Sequence, residues 1–204
     1  MISLEAGFVF IHRGKSAGNS ITELLLPHAP DNAKRLLAHK DQNGIDQFDI
    51  AHESLDTRKH ASLREYEAAI GREKLGRLYK FSNLRNPFDR LVSVYFHPPR
   101  IERRGRDFIE ADFIKIINKQ RTFRDFVCLE PGDALDTHLD RIIRFEHLEE
   151  DLNGVMDDLG LPRARLPHRN RSDHDHYRSY YSPATRALVE ERFAEELAFG
   201  SYSF

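Results

Sequence analysis

The chain has 204 residues, with 31 Lys and Arg against 33 Asp and Glu, 11 His, one Cys and no Trp, for a formal charge of −2. That length suits one domain, and 40% apolar residues with charges of mixed sign suit a packed core rather than a disordered chain. Near-neutral charge excludes a globally basic nucleic-acid coat, and a lone Cys128 excludes a disulfide-stapled scaffold, leaving that thiol as a small buried apolar residue.

In chain order, the N-terminal residues carry an acid and no basic region, so no signal peptide is expected, and no stretch reaches the roughly 18 apolar residues of a membrane helix. Phe8–His12 reads as a buried first strand, followed by the turn Arg13–Gly18 and a helix carrying Ile21, Leu24 and Leu25. Two short apolar runs, Arg35–Ala38 and Phe48–Ala51, flank the turn-like Lys40–Gly44. Ser62-x-x-Glu65 is a capping box opening a helix with Leu63, Tyr66 and Ile70 on one face. Leu78–Leu84 is the next strand, and Pro87 occupies the first position of another helix. The less regular middle, Pro98–Leu135, holds the basic run Arg100–Arg106, either solvated or a contact for an anionic acceptor, and helices around Phe108–Asn118 and Thr122–Leu129. Arg141–Phe145 reads as a strand with Glu146 at its end as a structural acceptor, followed by a helix closed by Gly160 and Pro162. The polar loop Arg163–Arg178 holds five Arg, three His and two Asp, and Ser182-Pro183 caps a last helix through Val189, Phe193 and Leu197. His174-Asp175-His176 is too sparse a cluster for a metal site. Strands alternating with helices imply an α/β single domain over residues 1–204, a mostly parallel central sheet flanked by helices.

Two segments carry anion-binding chemistry. A strand feeding a Gly-containing turn into a helix presents backbone N–H groups and a positive dipole end to an anion. Lys15 adds a mobile charge, while Ser16, Asn19 and Ser20 add polar donors. Gly14-Lys15-Ser16 matches the end of a nucleotide-binding P-loop, but the first Gly of that motif would fall at Val9, inside the strand. The second segment is Arg85-Asn86-Pro87-Phe88-Asp89-Arg90-Leu91-Val92-Ser93-Val94-Tyr95. There Phe88, Leu91, Val92 and Tyr95 share the core face, Arg90, Ser93 and His97 the opposite one, and Arg85 precedes the helix. A guanidinium and a hydroxyl near a helix start can clamp a phosphate.

Together, the Lys loop and the Arg-x-Pro-x-x-Arg-x-x-Ser-x-Tyr helix resemble the sulfotransferases that use 3′-phosphoadenosine 5′-phosphosulfate, closest to the branch that sulfates carbohydrate hydroxyls. Phe10–Ile21 is similar to the family's Phe-Ile-His-Ile-Pro-Lys-Thr-Ala-Gly-Thr-Ser-Ile signature, with Lys15, Ala17, Gly18, Ser20 and Ile21 matching and Arg13-Gly14 in place of Ile-Pro. The stretch Asp140–Asp151 and the ending Tyr181–Phe204 resemble later family segments, with Glu196 where Asp is common. The resemblance implies a P-loop-NTPase-like sulfotransferase fold and a donor (PAPS) bound by Lys15, Ser16, Ala17, Gly18, Asn19 and Ser20 at its phosphosulfate and by Arg85 and Ser93 at its 3′-phosphate. Asn170 and Arg171 in the late basic loop are expected at the adenosine end, and no metal is expected. Lys15 is the expected catalytic cation and His52, just past Phe48–Ala51, the expected base, with Glu53 as the alternative. The acceptor is expected to be a small-molecule or glycan hydroxyl, without nucleic acid or a membrane span. Against the anchored, disulfide-bearing members, the composition points to a cytoplasmic, bacterial-type enzyme. Two readings stand beside it, a P-loop-type kinase using Mg²⁺ with Asp49 as an acidic ligand and a catalytically inactive nucleotide-binding protein.

Overall fold

The computed structural model describes residues 1–40, 46–97, 107–166 and 174–204. The basic run at 100–106 and the expected adenosine contacts Asn170 and Arg171 lie outside them.

Phe8–Ile11 (β2) is wholly buried, and its alternation sends Phe8 and Phe10 to one core and Val9 and Ile11 to another, the period-2 signature of a central strand. Ile2–Ser3 (β1) pairs antiparallel with it on one edge, and Tyr79–Leu84 (β5) pairs parallel on the other, with Ile11 opposite Ser82. Arg141–Arg144 (β6) continues the sheet in parallel, giving the order β1-β2-β5-β6. Asn32–Lys40 (β3) and Asp46–His52 (β4) form a separate antiparallel ribbon, with Asn32 opposite His52 and Leu36 opposite Phe48. The two apolar runs flanking Lys40–Gly44 therefore belong to a ribbon beside the sheet.

Helices cover both sheet faces. Gly18–Leu25 (α1) and Leu148–Asp158 (α7) bury Ile21, Leu25, Leu152, Val155 and Met156 against Phe8, Phe10 and Phe81. On the other face Leu63–Ile70 (α2), Arg72–Gly76 (α3) and Arg124–Val127 (α6) bring Tyr66, Leu75 and Val127 against Val9 and Ile11. The capping box that opens α2 is formed in both directions, Ser62 Oγ accepting from Glu65 N–H and the Glu65 carboxylate from Ser62 N–H. A third cluster joins Pro87–Tyr95 (α4), Glu110–Lys119 (α5) and Pro183–Arg192 (α8) through Phe88, Tyr95, Phe113 and Val189.

Three local differences from the sequence expectation have physical causes. The last helix breaks at Phe193 (φ −113°, ψ 21°), so that Ala194–Phe199 (α9) sets off in a new direction with Glu196 turned into the protein. The helix at 122–129 is a single turn. Finally, α4 has no solvated face: Arg90 is 3% exposed and packs over Phe193 with its Nη1 near Gln120 Oε1 at 3.4 Å. Cys128 is buried as expected, and burial pushes its thiol pKa up.

Candidate functional site

The parallel register of β2 and β5 places their carboxyl ends side by side, the position at which open α/β sheets bind ligands. Asn83, the penultimate residue of β5, uses that adjacency. Its Oδ1 accepts from Arg13 N–H at 2.8 Å, and its Nδ2 donates to Arg13 O at 3.1 Å and to Ser16 O at 2.6 Å. One buried amide thus fixes the turn at three backbone points.

Within the turn, Lys15 (φ 66°) and Ala17 (φ 62°) both adopt left-handed backbone. Each such residue costs about 1–2 kcal/mol, a strain that persists where the surroundings dictate it. Two left-handed residues just ahead of α1 fold the chain into a concavity whose first-turn amides have no carbonyl of their own helix to bond. Ser16 is fully buried and its Oγ has no partner among the described residues. Gly18 is required sterically: a Cβ there would sit 2.0 Å from Nε2 of His12, whose ring stacks on Phe10 beneath the loop. Burial keeps His12 neutral by holding its pKa well below the ordinary histidine value.

The second segment meets the first directly. Arg85 Nη1 donates to Lys15 O at 2.8 Å, its Nε donates to Asp89 Oδ2 at 2.7 Å, and its guanidinium lies 4.0 Å over the Phe145 ring. Residues 70 apart in sequence are therefore one structure. Both border a cleft of about 910 Å³ whose walls include Lys15, Ala17, Gly18, Asn19, His52, Arg85, Ser93 and His97. The ribbon supplies the opposite wall through Gln47, Asp49 and Ile50, and Asn19 Nδ2 ties the loop to it by donating to Gln47 Oε1 at 3.1 Å. Ser16 and Ser20, expected as donor contacts, are buried beneath the loop rather than in the cleft wall. Arg90 belongs to the third cluster, not to the cleft.

His52 ends β4 with its side chain 2% exposed. Its Nδ1 accepts from Ser54 N–H at 3.1 Å, which leaves the ring proton on Nε2, facing Asp31 Oδ2 at 3.2 Å. Asp31 in turn accepts from Ser3 Oγ and Leu4 N–H, and these hydrogen bonds hold its carboxyl below the ordinary range. Both nitrogens of His52 are thus engaged, Nε2 in the link through Asp31 to β1 and Nδ1 in the turn that follows β4, and the lone pair expected to take a proton is already occupied. Glu53 is exposed and is not among the residues bordering the cleft. Glu146 is a structural acceptor as expected, holding Asn86 N–H at 3.2 Å and Tyr202 Oη at 2.8 Å.

Sequence reasoning missed the support beneath the loop. Arg13, fully buried, donates from Nη2 to Glu196 Oε1 at 2.7 Å across 183 residues, and Glu196 Oε1 also accepts from Phe123 N–H. Two of the positions noted as departing from the resembled pattern, Arg13 in the loop and Glu196 in the ending, are partners. The sequence signals were a charged residue entering a buried turn and an Asn inside an apolar strand, both disfavoured there unless hydrogen-bonded.

The sulfotransferase family model matches residues 1–199, so the chain belongs to the sulfotransferase family. No curated protein and no solved structure matches it. Among the described residues no helix is long and apolar enough to cross a membrane, and no three His, Cys, Asp or Glu side chains are grouped to hold a metal.

Proposed function

We propose that this protein transfers a sulfuryl group from 3′-phosphoadenosine 5′-phosphosulfate to a hydroxyl, most fittingly on a carbohydrate. The observation that carries the reading is the contact of Arg85 with the Lys15 carbonyl, which makes one cleft of the two segments that resemble the family's phosphosulfate and 3′-phosphate sites. The donor fits what is present: a concave backbone loop leading into the start of α1, with a Lys and an Arg bordering about 910 Å³.

When bound, the donor supplies an activated sulfuryl group on a phosphate leaving group. The amides of Ala17 to Ser20 hold the 5′-phosphate against the positive end of α1. Lys15 stands where negative charge grows on the leaving phosphate oxygen, and a charge placed there acts more strongly in the transition state than in the ground state. Arg85 has three of its five N–H groups engaged by Asp89 and Lys15 O, and together with Ser93 it presents the remainder toward the 3′-phosphate. Asp49 and Gln47 on the ribbon and Asp56 after it border the same cleft, and their carboxylate and amide groups are of the kind that hydrogen-bond sugar hydroxyls. Asn170 and Arg171 remain the proposed adenosine contacts. The lone buried thiol fits a reducing, cytoplasmic setting.

Calorimetric titration tests the donor. Binding of 3′,5′-adenosine bisphosphate without metal supports the proposal, and preference for ATP with Mg²⁺ contradicts it in favour of a kinase.

A further inference from the structure

His60 lies between β4 and α2, in the wall of the same cleft as Gly14 and Lys15. Its Cε1 is 3.7 Å from where a Cβ on Gly14 would stand, and its ring meets that of His12 edge-on with centroids 4.5 Å apart. Its Nδ1 is 3.0 Å from the carbonyl oxygen of His12. A carbonyl only accepts, so Nδ1 carries the hydrogen and Nε2 carries the lone pair. This is the reverse of His52, whose lone pair is taken by Ser54 N–H. Because His12 immediately precedes the Arg13–Ala17 turn, the bond that sets the His60 tautomer also holds the ring in register with the Lys15 loop.

We propose that His60, rather than His52, accepts the proton of the attacking hydroxyl. The proposal rests on the sulfuryl-transfer reading above. The hydroxyl proton passes to His60 Nε2 as its oxygen forms the new bond to sulfur. The bond from sulfur to the bridging oxygen breaks with its electron pair going to the phosphate, which leaves as the bisphosphate beside Lys15. The imidazolium then returns its proton to solvent. A base of this kind must be neutral before it acts. His60 is exposed to the cleft on one side, and the partial loss of solvation on its covered side, followed by the positive charge of Lys59, lowers its pKa against the opposing pull of the bond to His12 O and of Asp49. The neighbouring His12 is itself neutral.

The test is single-turnover release of 3′,5′-adenosine bisphosphate from the donor, with water alone and with unsulfated heparosan and chondroitin as hydroxyl probes. His60→Asn keeps a side-chain N–H to donate to the His12 carbonyl but has no base. It is expected to bind the bisphosphate as wild type does, to lose about 100-fold or more in rate, and to lose the acid limb that wild type shows below pH 6.5. Added imidazole is expected to restore part of the rate to His60→Ala. A His60→Asn rate within about threefold of wild type overturns the proposal, as does an acid limb abolished by His52→Asn but kept by His60→Asn. Wild type that fails to bind the bisphosphate overturns the sulfuryl-transfer reading itself, a separate result from active wild type with an equally active His60→Asn.

Discussion

Glu196→Ala is expected to be among the most destabilising single substitutions in this protein. Glu196 is 1% exposed and is the carboxylate paired with fully buried Arg13, while Arg90, 3% exposed, lies close enough that the two guanidiniums disfavour each other. Arg13 Nε and Nη1 and Arg90 Nε and Nη2 have no partner among the described residues. Burial, then the positive charge of Arg13, brings the Arg90 pKa down to about 9. Removing the carboxylate therefore leaves two buried cations without their compensating anion and leaves Phe123 N–H without its acceptor. Breaking a buried pair from one side costs about 3–5 kcal/mol. In a chain of this size that corresponds to a Tm lower by about 10 °C. Arg13→Met is expected to cost less, about 1–3 kcal/mol, because Glu196 keeps Phe123 N–H and the nearby Arg90 charge. Arg13→Met combined with Glu196→Met is expected to recover only part of the loss, since Arg13 no longer needs a partner but Arg90 and Phe123 N–H still lack the carboxylate. Urea melts of the three variants measure this cycle. A Glu196→Ala loss under about 1 kcal/mol, or larger damage from Arg13→Met, would refute the reasoning.

Two further outcomes follow from the same geometry. Gly18→Ala must displace the His12 ring, 2.0 Å from the new Cβ, and with it the floor of the loop. It should cost about 1–3 kcal/mol and weaken bisphosphate binding, and unchanged affinity in a titration would contradict the steric role. Stability should climb between about pH 5 and pH 8. Burial lowers the Met1 amine from 8.0 to about 5 and lowers His12 well below 6.5, so the unfolded chain binds protons the native state refuses, and acid favours unfolding. Urea midpoints that stay flat across that range would argue against neutral burial of these groups.

The parts legible in the sequence were those set by local pattern. The change from period 2 at Phe8–Ile11 to helical spacing at Ile21 and Leu25, separated by a polar turn, located the loop. Pro87 and the Ser62–Glu65 pair located two helix starts. What escaped was decided by distant contacts. Arg13 reads as a surface charge until Glu196 is brought to it by the break at Phe193. His52 and His60 are equivalent as letters, and only their hydrogen bonds, to Ser54 N–H in one case and to the His12 carbonyl in the other, show which lone pair is occupied. Arg90 sits at the spacing of an exposed face but is covered by α5 and the segment around Phe193, which no local window contains.

The central claim is that Lys15 and Arg85 serve one donor site for sulfuryl transfer. Its most direct measurement is the movement of label from radiosulfur-labelled 3′-phosphoadenosine 5′-phosphosulfate to a heparosan or chondroitin hydroxyl, in the absence of metal, by wild type and by Lys15→Ala. Transfer by wild type with a loss of at least about 100-fold in Lys15→Ala is the expected result. Transfer by Lys15→Ala within about tenfold of wild type would contradict the account.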